Sequence, residues 1–153
     1  MIHPSVMKMW NQFVSMNEDV DQDASFSPWH FCIDEEDANN LAQLVKRGVK
    51  TATSSLHILY DLENEPLPTV GDYNIITNYK GVAQTITKTI NVNVLPFKKV
   101  DCEFARKEGE GDLSLEYWRK VHTDFFTKEL ALLNKEFDEE MIVVCEEFVV
   151  VAK

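Results

Sequence analysis

Leu44-Val45-Lys46-Arg47-Gly48-Val49-Lys50-Thr51-Ala52-Thr53-Ser54-Ser55-Leu56 is the stretch on which the reading of this chain turns. Its first half closes a helix. Lys46 and Arg47 suit the negative end of a helix dipole, and Gly48 suits the left-handed residue that follows. Upstream, Asp34 is the predicted N-cap, Glu35, Glu36 and Asp37 fill the positive first turn, and Ala38, Leu41, Leu44 and Val45 form the buried stripe. The second half sets a lysine among hydroxyls. If residues 50–53 make a helical turn, Lys50 and Thr53 share a face. A desolvated Lys50 then has a lowered pKa and can take a proton from a hydroxyl nucleophile. The alternative is a solvated basic turn whose Ser and Thr side chains cap the backbone. The order G-x-x-x-x-G-K-[ST] of a phosphate-binding loop is absent.

Working outward, Pro4 to about Met16 reads as a helix, with Pro4 at a first helical position and Val6, Met9, Trp10 and Phe13 at helical spacing. The acidic run from Glu18 to Asp23 interrupts it, and Trp29-His30-Phe31 is a strand candidate. Tyr73 to Ile76 and Thr85 to Leu95 read as strands around the turn signal Asn78-Tyr79-Lys80-Gly81. Ile86, Ile90, Val92 and Val94 fall on even positions, which predicts one apolar sheet face. Val100 to Lys107 reads as a short helix. A long helix starting near Asp112 or Ser114 carries Leu115, Trp118, Val121, His122, Phe125 and Leu130 inward. Met141 to Ala152 closes the sequence as a strand. The pattern is α+β, divided into an N-terminal helix and acidic loop (1–27) and a domain over 28–153.

Composition bounds the function. The chain has 153 residues, 44% of them hydrophobic, and 15 Lys and Arg stand against 26 Asp and Glu, for a net charge of -11. A domain of this size buries enough surface to fold without staples. A strongly acidic chain is a poor binder of duplex DNA or of an anionic membrane, because both reward many cations. No run approaches a membrane span, and the start lacks the pattern of a signal peptide. Cys32, Cys102 and Cys145 are far apart and odd in number, which reads as free thiols in a reducing cytoplasm. The cations cluster locally: Lys46, Arg47 and Lys50 lie within 46–60, where there is no acid, and six cations face only Asp101 and Glu103 within 80–107. A small cationic cleft in an acidic body suits one nucleotide or a short single strand.

Two further constellations carry chemistry. In Arg106-Lys107-Glu108-Gly109-Glu110-Gly111-Asp112, the glycines let backbone approach a ligand. A carboxylate there serves as a general acid or base, two hold a hard cation, or Asp112 simply caps the helix that follows. In Trp118-Arg119-x-x-His122 the Trp and His share one helix face, either as packed core or with Trp118 as a platform for a stacked base.

These three constellations, in this order, resemble the ASCH domain, a relative of the PUA fold. The likeness covers about residues 28–151 and ends in Val144-Cys145-Glu146-Glu147-Phe148. The resemblance implies a curved β-barrel-like sheet with flanking helices, and a cleft beside the G-x-K-x-x-T turn. It also implies binding of, or action on, RNA; one bacterial branch hydrolyses the acetyl amide of N4-acetylcytidine, and another is ribonucleolytic. Carried over, Thr53 is the nucleophile, Lys50 its activator, and Glu108 the group that handles the leaving amine's proton. Around these three, Thr51, Ser54, Ser55, Tyr60, Arg106, Glu110, Asp112, Trp118 and His122 are the candidate substrate-binding residues. No metal or cofactor is implied, and the partner is a modified nucleoside or a short single-stranded RNA. This sequence departs from the deacetylating branch in having Ser55 where that branch has arginine, and Phe104-Ala105-x-x-Glu108-Gly109 where it has His-Ala-x-x-Glu-Asn. Lys50→Ala is expected to abolish turnover and leave the fold intact.

Overall fold

Five helices and five strands account for the chain, and the computed structural model describes all of residues 1–153. The strands β1 (Phe26–Trp29), β2 (Ala52–Leu56), β3 (Tyr73–Thr77), β4 (Ala83–Pro96) and β5 (Ile142–Ala152) form one sheet in the order β1-β3-β4-β5-β2. Internal contacts group the chain into two compact units. Met1–Val49, Thr69–Ile90 and Phe148–Lys153 make the first, and Lys50–Pro68 with Asn91–Glu147 make the second.

The first unit holds α1 (Pro4–Met16), β1 (Phe26–Trp29), α2 (Glu35–Lys46), β3 (Tyr73–Thr77), the opening of β4 (Ala83–Pro96) and the end of β5 (Ile142–Ala152). α1 has the predicted bounds, and Val6, Trp10 and Phe13 bury against Ile75 and Ile86. Asp34 caps α2 by accepting from Asp37 N at 2.9 Å, and Gly48 takes φ +77° beyond its end. The buried stripe of α2 is Ala38, Ala42 and Val45, packed with Phe31, Ile76 and Phe148; Leu41 and Leu44 are half-buried. β1 begins earlier than predicted. It pairs parallel to β3 from Phe26↔Tyr73 to Trp29↔Ile76 and leaves out His30 and Phe31. Pro28 is tolerated because β1 is an edge strand, where a missing N–H costs no ladder bond.

β4 overturns the apolar-face expectation. Ile90 and Val94 are about half exposed, while Thr85, Thr87 and Thr89 on the odd face are buried. Both faces are covered where β4 pairs with β3. Ile86 opposite Ile75 lies under α1, and Thr85 lies opposite Ile76, which packs with the α2 cluster. With both faces covered, alternation along the sequence no longer tells inside from outside.

The second unit holds β2 (Ala52–Leu56), α3 (His57–Glu63), the rest of β4, a 3-10 turn (Phe97–Lys99), α4 (Cys102–Glu108), α5 (Leu115–Ala131) and most of β5. Its core is Leu56, Phe97, Val100, Ala105, Trp118, Phe126, Leu130, Val143 and Cys145. Each fully buried large apolar side chain contributes about 1.5–3 kcal/mol. On α5 the buried positions are Trp118, His122, Phe126 and Leu130, spaced four apart. Phe126 replaces the predicted Phe125 at the centre of that face, and Val121 and Phe125 sit half-buried beside it. No helix is long and apolar enough to cross a membrane.

Candidate functional site

The second unit buries a set of charges. Three short elements bring them together: the residue that leads into β2, the C-terminal end of α4, and the middle of α5. Lys50 follows the glycine-terminated helix and is drawn toward α4 by its neighbour Thr51, whose N–H and Oγ1 both donate to Lys107 O, at 2.8 and 3.1 Å. α4 starts at the Asp101 cap and stops at Gly109, which adopts φ +71°. That stop sets Glu108 as the last helical residue and Glu110 on the loop beyond it. Ser114 caps α5 by accepting from Tyr117 N, and Asp112 braces that cap by accepting from Ser114 N at 2.9 Å and Ser114 Oγ at 2.6 Å. Asp112 therefore supports the N-cap, and the cap itself is Ser114.

Lys50 and Glu108 are each 1% exposed. Lys50 Nζ donates to Glu108 Oε1 at 2.9 Å, to Glu110 Oε2 at 2.9 Å and to the Glu108 carbonyl at 3.3 Å. The other carboxylate oxygen, Glu108 Oε2, accepts from Ser54 Oγ at 2.7 Å, Trp118 Nε1 at 2.5 Å and His122 Nε2 at 3.1 Å. His122 Nδ1 donates to the Trp118 carbonyl at 2.9 Å. Both imidazole nitrogens thus face oxygens that only accept, which suits a proton on each. That arrangement favours the imidazolium form of His122, which together with Lys50 would set two cations against two carboxylates.

The titration directions agree with that geometry. Burial pulls the Lys50 ammonium down, but Glu108 and Glu110 outweigh it and hold the group above its ordinary 10.5. Burial pushes the Glu108 carboxyl up, and Lys50 and His122 overcome it, holding it far below the carboxylate range. Burial also lowers His122, and Glu108 raises it by more, so the net shift is upward from 6.5. Of the two readings the sequence left open, neither the lysine of lowered pKa nor the solvated turn describes Lys50. Lys50 is desolvated, but its two carboxylate partners raise its pKa rather than let it fall.

The helical turn is absent as well. Residues 52–56 form a strand that pairs with β5, Thr53 opposite Glu146 and Ser54 opposite Cys145. Successive strand side chains point to opposite faces. Ser54 lies on the face of Glu108, and Thr53 points the other way with Ser55. The Ser55 hydroxyl shares a 2.7 Å hydrogen bond with Tyr60 on α3, whose hydroxyl is pushed upward by burial. Arg106 is exposed on α4. Trp118 is closed as a platform for a base: Phe97 stacks at 5.1 Å and 27°, and His122 at 4.3 Å and 19°. The sequence argument thus named every member of the buried cluster (Lys50, Ser54, Glu108, Glu110, Trp118 and His122) but misjudged two relationships within it.

Glu108, Glu110 and His122 present ligand-type atoms within 4.8 Å of one another. The Lys50 ammonium bridges the two carboxylates and the setting of His122 favours its protonated form, so the cluster already carries its counter-cations. Nearby, a depression of about 250 Å³ is lined by Asn91, Asn93, Asp101, Glu103, Phe104, Lys107 and Glu147. Lys107 donates to Glu147 at 2.7 Å, and Asn91 Nδ2 donates to the same carboxylate at 2.6 Å. Among the cations of residues 46–60 and 80–107, Lys50, Lys98 and Lys107 are paired with carboxylates. Glu147 lies in the stretch that closes the family-like pattern, whereas no sequence signal marks Asn91, since the depression is assembled from three separated segments.

An α+β fold with a lysine, a glutamate and a histidine closed on one another at the head of β2 defines a class, and comparison with known proteins supplies the family. The ASCH domain family model matches residues 27–152. The chain belongs to the ASCH domain family. It is similar to the crystal structure of an ASCH domain from Lactobacillus crispatus JV V101, at 35% identity and a TM-score of 0.91, covering 99% of this chain and 97% of that one. It is also similar to a protein of Enterococcus faecalis V583, at 36% identity and a TM-score of 0.86, covering 97% and 88%. No curated protein matches the chain. The α+β, PUA-like fold expected from the sequence is the fold observed.

Proposed function

We propose that this ASCH-domain protein is a metal-independent hydrolase of a small amide of the modified-nucleoside kind, with its nucleophile a hydroxyl of β2. One observation carries the reading: Lys50, His122 and a β2 hydroxyl, that of Ser54, all converge on Glu108. Titratable groups held together and shifted by one another are the usual mark of a proton-transfer site. In this reading the hydroxyl oxygen bonds to the amide carbon and its proton passes toward Glu108. The fixed ammonium of Lys50 stabilises the oxyanion that forms, as a preorganised charge in a dry site does. The C–N bond breaks as the His122–Glu108 pair delivers a proton to the leaving nitrogen, and water then cleaves the ester.

Thr53 is the nucleophile implied by the family resemblance, and Ser54 is the hydroxyl in contact with Glu108. They lie on opposite faces of β2, so a pair of variants separates them. The test is incubation of the protein with a panel of acylated nucleosides and short RNAs, read by mass spectrometry. Wild type is expected to release a free amine. One of Thr53→Ala and Ser54→Ala is expected to lose at least a hundredfold in kcat, the other little. Retention of full activity by both would refute the hydroxyl mechanism. A short single-stranded RNA is the weaker reading, because Lys50 and Lys107 are paired with carboxylates and both faces of Trp118 are covered. A salt-independent substrate KM agrees with a small ligand, and a steep decline in affinity with salt would favour RNA.

A further inference from the structure

Lys50 has three N–H donors, and Glu108 Oε1, Glu110 Oε2 and the Glu108 carbonyl take all three. An incoming ligand can reach the ammonium only if one of these acceptors leaves, and they differ greatly in how firmly they are held. The side chain of Glu108 is 2% exposed and is fixed by Ser54, Trp118 and His122. The side chain of Glu110 is 17% exposed, and its carboxylate makes a single hydrogen bond, to Lys50.

The backbone around Glu110 is irregular and rich in left-handed residues. Gly109 and Gly111 both have positive φ, +71° and +59°, and Leu113 follows at +68°. Gly111 is pressed beneath the ring of Tyr117: a Cβ at residue 111 would lie 2.4 Å from two ring atoms. The ends of the 109–113 segment are pinned, by the Gly109 N–H to the Arg106 carbonyl at 3.0 Å and by Asp112 to Ser114, while its middle rests on the Tyr117 contact and the Glu110–Lys50 bond. Tyr117 itself stands 36% exposed at the first turn of α5.

We infer that Lys50 is an anion-binding position and that Glu110 is its built-in, displaceable occupant. The ligand class is a small group bearing a negatively charged oxygen, either a carboxylate or the oxyanion that forms at a carbonyl under attack. The carboxylate of Glu110 holds the ammonium in the resting protein, and the ligand's oxygen takes its place as the middle of the 109–113 segment swings outward and Tyr117 lifts from Gly111. The inference rests on the reading of this cluster as a substrate site, but it concerns binding, so it is tested without turnover.

Acetate is the probe, because it reproduces the Glu110 carboxylate without its chain. Acetate is titrated into wild type, Glu110→Ala and Glu110→Gln while the Trp118 indole N–H signal is followed by NMR. Both variants are expected to bind acetate saturably and at least tenfold more tightly than wild type, and Lys50→Met in the Glu110→Ala background is expected to abolish that binding. Gly111→Ala, which cannot keep Tyr117 in contact, is expected to fall between wild type and Glu110→Ala. Equal acetate affinity in wild type and both Glu110 variants would overturn the inference. So would loss of the fold in both, since a displaceable side chain cannot be one the fold requires. Failure to find an amide substrate would leave this outcome untouched, and acetate binding without turnover would separate the two readings.

Discussion

The two units bury polar groups in opposite ways. In the first, Thr77, Thr85, Thr87 and Thr89 are buried hydroxyls along β3 and β4, and the Oγ1 atoms of Thr85 and Thr89 have no hydrogen-bond partner. In the second, Lys50, Glu108, Glu146 and His122 are buried, and the charged atoms of Lys50, Glu108 and His122 each have a partner. A hydroxyl left unpaired costs a modest penalty, whereas an unpaired charge costs several kcal/mol, so only the charges must be matched member by member. The threonines of β4 serve the strand, being good β-formers with no demand for a specific partner. The charges of the second unit add little net stability for what they cost to desolvate, which argues that they are kept for chemistry.

The largest test of that contrast is Glu108→Ala. It leaves Lys50, His122 and the Trp118 indole without their common acceptor and is expected to cost about 3–5 kcal/mol, a fall in Tm of about 10 °C or more. Denaturant unfolding with an unchanged slope measures it; a loss under 1 kcal/mol would mean that the cluster is not energetically coupled. The same argument revises the expectation for Lys50→Ala, which leaves two buried carboxylates facing one another and so loses stability as well as turnover.

A second, smaller effect is the pH profile. Glu108 has a folded value below its ordinary 4.5, so its contribution is present above pH 4.5 and is lost as pH falls through the folded value. His122 has a folded value above 6.5, so its contribution is fully present below pH 6.5 and is lost as pH rises through the folded value. Stability is therefore expected to plateau between these limbs. His122→Phe, which keeps a ring against Trp118 but no N–H for Glu108, is expected to remove the alkaline limb above pH 6.5 and leave the acid one. Persistence of both limbs in this variant would show that another group titrates.

The smallest effect has the opposite sign. Thr85→Val and Thr89→Val remove hydroxyls that have no partner and are expected to be neutral or to stabilise by up to about 1 kcal/mol each. A loss above 1 kcal/mol in either would show that the first unit, too, depends on specific polar contacts.

Local rules read well wherever one residue decides a backbone state. Pro4 at the start of α1, Asp34 at the cap of α2, Gly48 after it and Ser114 before α5 are each legible because a cap or a positive φ needs that side chain or its absence. Periodicity read the helices but not the sheet. The α5 face differs from expectation only by Phe126, whereas β4 buries threonines and exposes Ile90 because its two faces are covered to different extents along its length. In the site, the identities were legible from the motifs, and the pairings were not. Lys50 and Thr53 stand three apart in sequence, but Thr53 is on a strand that Lys50 only precedes, and the Glu108 partner of Lys50 is 58 residues away.

The sequence alone therefore determined the α+β pattern, through caps and spacing that act over one or two turns of chain, and, through the motifs that resemble the family, a wider set of candidate residues that includes the six of the cluster. Only the tertiary structure decided that Lys50 stays an ammonium, that the setting of His122 favours both protons, and that Ser54 rather than Thr53 meets Glu108. Those outcomes are set by desolvation and by charges a few ångströms apart in space, and neither quantity is defined until distant segments are folded against one another.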